Sequence, residues 1–462
     1  MSEKYRIEKD SLGEVRVPID ALYGAQTQRA LENFPISGYR FSRRFIQALG
    51  LIKKCAATVN KELGYIDSTL ADSIVRAAAE VADGTWDDAF VLDIYQTGSG
   101  TSTNMNANEV IARRANQLLE NDLVHPNDHV NFGQSSNDVI PSAIHISARI
   151  SLELDLIPSL KKLKDTLSCK ADEFDHVVKS GRTHLMDATP VRLGQQFGGY
   201  AHQLSKGIQR VERGSTELME LALGGTAVGT GINTHPEFAK RTISLLSEEL
   251  SMDFCEAENH FEAQASKDAI VQLSGCLNTV ATSYFKIADD IRWLASGPTS
   301  GLGEIQLPAI QPGSSIMPGK VNPVMSEAMM MVAARVMGNH TTATVAGQRG
   351  NFELNVTMPV LAYTTLESIT LLSNMAVVFS DRCVKGITVN EERIKELLEK
   401  NPSIATALNT FIGYDKASEV AKEAAREGIS VREVVERRQL IDPDKIDDAL
   451  DVRKMTEPGL PE

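Results

Sequence analysis

The sequence predicts an all-α protein built around a bundle of long helices, and three observations carry that prediction. Hydrophobic residues make up 42% of the 462-residue chain, while aromatics make up only 5%. The core must therefore be Leu, Ile, Val, Ala and Met, which suits helix-on-helix packing better than a sandwich or barrel. Residues 262–296 place Ile270, Leu273, Leu277, Val280, Tyr284, Ile287, Ile291 and Leu294 at steps of three and four without a miss, the seam of a bundle helix. A second periodic stretch runs from Val139 to Val178 through Ile146, Ile150, Leu154, Ile157, Leu160, Leu163, Leu167 and Phe174. Pro158 lies inside it and predicts a kink, with no Gly or Asn nearby to reverse the chain.

Shorter apolar-periodic segments cover 200–222, 324–347 and 358–385. The last seventy or so residues are charged and broken by Pro402, Gly413, Gly428 and Pro443, which fits a small helical cap. The expected division is an N-terminal, mainly helical domain at 1–138, a central long-helix domain at 139–389 and a C-terminal helical domain at 390–462. A net charge of −14 without a basic stripe argues against nucleic acid, and it obliges any anion site to carry local positive groups. The opening MSEKYRIEKD has no apolar leader segment, and no apolar run looks long enough to cross a bilayer, so a cytoplasmic protein without a membrane partner is expected. Cys55, Cys169, Cys255, Cys276 and Cys383 are each more than twenty residues apart. That spacing fits neither a zinc nor an iron–sulfur site, so reduced core thiols are expected, with no metal and no cofactor.

Four polar clusters interrupt the apolar scaffold. The first, Gln96 to Asn106, contains Ser99, Gly100 and Thr101 and offers hydroxyls and N–H groups to a carboxylate, ahead of a helix expected near Asn106. The second holds His125, Pro126, Asn127 and Asp128, then Ser135, Ser136, Asn137 and Asp138 before a helix with Pro141 in its first turn. Capping and anion binding are compatible there, because a helix N-terminus directs free N–H groups and partial positive charge outward. The third is Gly181 to Ala188, with Arg182, Thr183 and His184. The fourth is Gly313-Ser314-Ser315-Ile316-Met317-Pro318-Gly319-Lys320-Val321-Asn322-Pro323, followed by Ser326-Glu327. Gly and Pro there exclude helix and strand, and a loop with a fixed charge can close over an anion. Each cluster also has a plain structural reading as a cap, a turn or a solvated helix start.

Spacing adds an expectation about assembly. Ser135–Asn137 opens the second long helix and Arg182–His184 follows its end, so about forty residues at ~1.5 Å each separate them by roughly 60 Å. If both serve one active site they must come from different copies of the chain, which predicts an oligomer with sites built between subunits.

The eleven-residue string and the other three clusters resemble the fumarase/aspartase superfamily, with likeness running from Tyr5 into the C-terminal region. The resemblance implies a three-domain, almost entirely helical fold and a homotetramer on a twenty-helix core, five helices from each subunit, with each active site drawn from three subunits. His184 after Arg182-Thr183, Gly319 in the signature and the run Ala407 to Ala417 resemble the class II fumarase branch, whereas aspartase-like chains usually carry Gln and Ala at the first two places. Val321 is unlike the basic residue of argininosuccinate and adenylosuccinate lyases. The implied reaction is the reversible hydration of fumarate to L-malate in the tricarboxylic acid cycle. Aspartate ammonia-lyase activity and a non-catalytic helical scaffold of the same fold are the alternatives.

Taking a proton from C3 of malate develops a doubly negative aci-carboxylate, so donors must stand where that charge forms. Lys320, Asn322 and the N–H groups of Gly313–Ser315 suit that task. The resemblance implies Ser314 as the base, which needs its alkoxide stabilised, and His184 paired with Glu327 on the leaving hydroxyl. A His184–water pair is the alternative base. Ser99, Gly100, Thr101, Ser135, Ser136, Asn137, Thr183, Ser315 and Val321 complete the implied substrate-binding set. His125, Pro126, Asn127 and Asp128 match a secondary dicarboxylate site, although Asp122 stands where some relatives place a basic residue.

Overall fold

The computed structural model describes residues 5–460. Alternating residues at its start pair as a ribbon, β1 (Tyr5–Asp10) against β2 (Gly13–Pro18), with Tyr5 opposite Pro18. Helices dominate thereafter: α1 (Ala25–Asn33), α2 (Arg43–Glu62), α3 (Ser68–Ala82), α4 (Thr101–Leu119), α5 (Ser136–Ser151) and α6 (Ile157–Glu173). A second ribbon, β3 (Val178–Thr183) with β4 (Met186–Arg192), leads into α7 (Leu193–Gly214), α8 (Phe238–Leu250), α9 (His260–Ala265), α10 (Asp268–Leu294), α11 (Val324–Gly347), α12 (Met358–Arg382) and α13 (Glu391–Glu399). Among the described residues every sheet is two-stranded, so the helical class holds. The chain divides into two compact units: Met1–Pro158, Gln209–Ala281 and Ala334–Ser373 form the first, and Ser159–Ile208, Thr282–Ala333 and Asn374–Glu462 form the second.

In the first unit, polar side chains finish the helix ends. Gly24 offers no side chain to cap α1, and the buried Glu109 of α4 accepts the N–H groups of Gly24, Gln26 and Thr27 at 2.8, 2.9 and 3.1 Å instead. Asp67 caps α3 through the N–H of Thr69 at 2.8 Å. Helix α4 starts at Thr101, five residues before the expected start near Asn106. Ser, Thr and Asn are weak helix formers, but tertiary partners hold them here: Gln96 Oε1 accepts from Thr103, and Asn106 donates to the Ala89 carbonyl.

The helical run that opens at Ser136 continues without a break to Glu173, but it stops short of Val178, which begins β3. Pro141 falls inside α5 beyond the first turn. Residues Leu152–Leu156 form one wide π-turn just before Pro158. Proline lacks an N–H and its ring crowds the preceding turn, so a widened turn accommodates it without breaking the helix. The inserted residue also shifts the helical phase: Leu152 and Leu156 are buried and Leu154 turns outward, against the expectation that Leu154 lies on the seam.

All eight seam residues of α10 are buried. The helix begins at Asp268 rather than near 262, because Ser266 leaves helical backbone and separates α9. The helix Met358–Gly386 is long and apolar enough to cross a membrane, contrary to expectation, yet 61% of its apolar 18-residue stretch is buried in the protein. Its physical role here is a core helix. Only Cys55 and Cys383 are core thiols, each pushed up to about 12 by burial, whereas Cys169 and Cys255 are exposed. In the second unit one hydrophobic cluster, including Leu408, Val420, Val434 and Val435, gathers the C-terminal helices.

Candidate active site

Within the first unit the first two polar clusters converge. Gly98 allows the turn before α4 to pass close to another strand of backbone, since a Cβ there would meet the Val356 carbonyl oxygen at 2.0 Å. Gly100 takes the left-handed conformation, φ 74°, and hands the chain to Thr101. The result is a chain of hydroxyls: Ser99 Oγ lies 2.7 Å from Thr101 Oγ1, which lies 2.8 Å from Ser136 Oγ. Ser135 caps α5 in a reciprocal box, its Oγ accepting the Asn137 N–H while Asp138 Oδ1 accepts the Ser135 N–H at 2.8 Å. Asp138 Oδ2 takes the N–H groups of Gly224 and Thr226 at 3.0 and 2.9 Å, and burial raises its pKa despite those bonds. Asn137 donates to the Ala227 carbonyl at 2.8 Å. Neutral donors from two helix N-termini thus meet, the arrangement that receives a carboxylate.

His125 caps the short turn Pro126–Val130, its Nδ1 accepting N–H groups of Asn127 and Asp128 at 3.3 and 3.1 Å. Asn127, Asp128 and Asp122 are exposed.

The other two clusters lie in the second unit. Thr183 ends β3, and His184 with Leu185 forms the two-residue turn of the ribbon, at φ 57° and 61°. Positive φ at both positions is the geometry of a tight hairpin, which Asn and Gly adopt easily and larger side chains do not. His184 is therefore held in a strained, exposed tip. Behind it, Arg182 forks onto Glu304 through bonds of 2.6 and 3.1 Å, and Lys179 Nζ lies 3.2 Å from the same carboxylate, which is fully buried. Arg182 is thus neutralised inside the protein and is not offered to a ligand.

The signature forms a loop closed at its base. Gly313 donates to the Lys320 carbonyl at 2.8 Å, Asn322 Nδ2 donates to the Gly313 carbonyl at 2.6 Å, and a Cβ at Gly313 would stand 2.4 Å from Lys320 oxygen. The expected free N–H of Gly313 is consequently engaged, as is the Asn322 amide. Ser314 Oγ accepts the N–H groups of Ile316 and Met317 at 3.3 and 3.0 Å, donors that would stabilise an alkoxide there. Ser315, Lys320 and Val321 are exposed, and Glu327 is exposed in the first turn of α11. Among the described residues His184 and Glu327 form no ion pair, and no side-chain hydrogen bond joins any two of Ser314, Lys320, His184 and Glu327. No group of three His, Cys, Asp or Glu side chains among the described residues has the arrangement to hold a metal ion.

Sequence reasoning missed Glu304, Lys179 and Lys53 as parts of these arrangements. Lys53 had a usable signal, one charge on the apolar phase of α2 beside Leu49, Ile52 and Ala56. Glu304 had none, since its partners arrive from more than a hundred residues away.

The sequence matches the lyase family over residues 13–338 and the fumarase C C-terminal family over residues 404–457. It is 55% identical to the class II fumarate hydratase of Halobacterium salinarum across 100% of this chain and 99% of that protein. It is 52% identical to the class II fumarate hydratase of Xylella fastidiosa across 99% and 97%. Its fold superposes on the crystal structure of class II fumarase from Schistosoma mansoni with a TM-score of 0.95 and 41% identity, covering 98% of this chain and 100% of that one. These likenesses span the four clusters as well as the scaffold, and the chain belongs to the lyase family of the class II fumarate hydratases.

Proposed function

We propose that this chain is a hydro-lyase that hydrates fumarate reversibly to L-malate. The observation that carries the reading is the Ser314 loop: a hydroxyl that accepts two backbone N–H groups, in a closed turn beside Lys320, supplies a base whose alkoxide is stabilised. In the dehydration direction Ser314 takes the C3 proton, and Lys320 faces the developing aci-carboxylate. His184, paired with Glu327 of another copy, protonates the leaving hydroxyl directly or through water. Ser99, Gly100, Thr101, Ser135, Ser136, Asn137, Thr183, Ser315, Val321 and Asn322 bind and orient the dicarboxylate, and His125, Pro126, Asn127 and Asp128 form a secondary anion site.

The reading includes a homotetramer in the cytoplasm with active sites shared between subunits, and domains at 1–138, 139–389 and 390–462. Three features support the shared sites. The helical run expected between the second and third clusters is unbroken from Ser136 to Glu173. Long helices of the chain leave Phe285, Met331, Val345 and Val378 exposed, apolar surface that a partner copy would cover. Among the described residues His184 and Glu327 form no ion pair. The test is direct: adding L-malate to the purified protein should produce the absorbance of fumarate, and aspartate should release no ammonia. Ammonia from aspartate without turnover of malate would overturn the reading.

A further inference from the structure

Beneath the Ser135–Asn137 segment lies a lysine that the catalytic reading does not use. Lys53, in α2, has no exposed surface. Its Nζ donates to Asn131 Oδ1 and Gln134 Oε1, both at 2.9 Å. Those two amides shape the chain leading into Ser135: Asn131 donates to the Gln134 carbonyl at 3.0 Å, and Gln134 Nε2 donates to the carbonyls of Val130 and Phe132 at 3.2 Å. Asn104 of α4 reaches the same Asn131 oxygen at 3.2 Å. An ammonium is costly to bury, and a methionine would fill the space more cheaply, so its presence calls for a compensating use.

Charge supplies that use. Asp138 anchors the start of α5 from a fully buried position, which places an anion directly under neutral donors meant for another anion. Lys53 and Asp138 lie within electrostatic reach of each other. Among the other charged and titratable groups on elements packed against α2, Glu249 of α8 holds Lys54, Arg241 of α8 reaches Glu62, Asp72 of α3 holds Lys61, Glu80 of α3 holds Arg114 of α4, Glu109 of α4 serves α1, Arg149 of α5 faces Glu153, His145 of α5 bonds the Glu220 carbonyl, and His129 Nδ1 accepts the His125 N–H.

We propose that Lys53 is a positioning residue of the dicarboxylate site: through Asn131 and Gln134 it holds the Ser135–Asn137 segment in place, and it neutralises the Asp138 carboxylate beneath that segment so that a dianion can bind. The inference rests on the assignment of Ser99, Thr101, Ser136 and Asn137 as carboxylate donors. Burial brings Lys53 down to about 7. Burial raises the Asp138 pKa in turn; where that carboxylate is ionised only a protonated Lys53 balances it, and loss of the Lys53 proton leaves it without a counter-charge. A bound dianion favours protonated Lys53, so affinity should fall as pH rises.

The probe is succinate, a dicarboxylate that stays dianionic at neutral and alkaline pH and does not react. Calorimetric titration of the full-length wild-type protein should show affinity falling about tenfold through the region around pH 7, and Lys53→Met should bind succinate about tenfold more weakly with little dependence on pH. With fumarate, the loss should appear in KM more than in kcat, the mark of weakened binding. Restoring charge balance with Asp138→Asn in the Lys53→Met background should recover part of the affinity, which a purely structural lysine would not allow. A flat wild-type profile, which requires no variant to fold, would overturn the proposal, as would a Lys53→Met protein that binds succinate like wild type. Succinate binding with the expected profile in a protein that fails to turn over malate would support Lys53 and overturn the catalytic reading instead.

Discussion

Replacing Glu304 by glutamine tests whether the His184 turn is held from behind. The carboxylate is fully buried, forks onto Arg182 and lies 3.2 Å from Lys179, whose own side chain is only 3% exposed. At about 4 Å and an effective dielectric near 20, each such contact is worth about 4 kcal/mol before desolvation is counted. Removing one partner of a buried pair costs about 3–5 kcal/mol, because an unpaired charge is left inside. Lys179 limits the loss: burial already lowers its pKa, and Glu304 is the main group that raises it. Without Glu304 burial lowers the Lys179 pKa with less opposition, which eases the cost of leaving that amine unpaired, while Arg182 stays a stranded cation. We therefore expect a loss near the lower bound, about 3 kcal/mol. The β3–β4 ribbon loses its anchor one residue before Thr183, and a tip held at φ 57° and 61° relaxes when its strands loosen. Displacing a catalytic group by about 1 Å costs on the order of a hundredfold in rate, so kcat for malate dehydration should fall about 10- to 100-fold. Steady-state kinetics, thermal unfolding and hydrogen exchange of residues 178–192 measure the three effects. Wild-type exchange in the ribbon together with a kcat within about twofold would refute the clamp. Arg182→Met combined with Glu304→Gln should cost less than the sum of the two single changes.

Three further outcomes are expected. Ser314→Ala should fold and bind substrate nearly as wild type but lose far more than tenfold in kcat, a barrier increase above about 1.4 kcal/mol; a smaller loss would return the base role to the His184–water pair. Asn137→Ala and His184→Asn, each inactive alone, should recover part of the wild-type activity when unfolded, mixed and refolded together, and verified mixed oligomers without activity would refute shared sites. Stability should also report on Lys53. Its folded pKa, about 7, lies below the unfolded value of 10.5, so between those limits the unfolded chain binds the extra proton and stability rises with pH. Chemical denaturation at pH 7 and pH 9.5 should show a smaller rise for Lys53→Met than for wild type, and equal slopes would contradict a buried, titrating lysine.

Local order was legible where one residue type repeats against one face. The α10 seam follows from its steps of three and four, because a buried helix face needs apolar groups at that period and nothing else in the chain competes for them. The Ser135 cap was also legible, since serine three residues before an acidic side chain satisfies free N–H groups locally. Less was legible wherever polar residues owe their state to distant partners. The early start of α4 depends on Gln96 and Ala89 accepting from Thr103 and Asn106, and propensity alone argues against it. The π-turn before Pro158 reverses which leucines are buried, although the apolar pattern favoured Leu154.

The sequence by itself determined the helical class, the two longest apolar periods, the four polar clusters and the family likeness they carry, because all of these reside in residue types at fixed short spacings. Only the tertiary structure decided which clusters meet. Ser99, Thr101 and Ser136 form one hydroxyl chain, whereas among the described residues His184 and Glu327 form no ion pair. It alone decided that Arg182 is an internal cation held by Glu304, and that Lys53 sits under the Ser135–Asn137 segment opposite Asp138. The reason is physical: the energy of a buried charge depends on what surrounds it within a few ångströms, and those neighbours come from segments tens to hundreds of residues away.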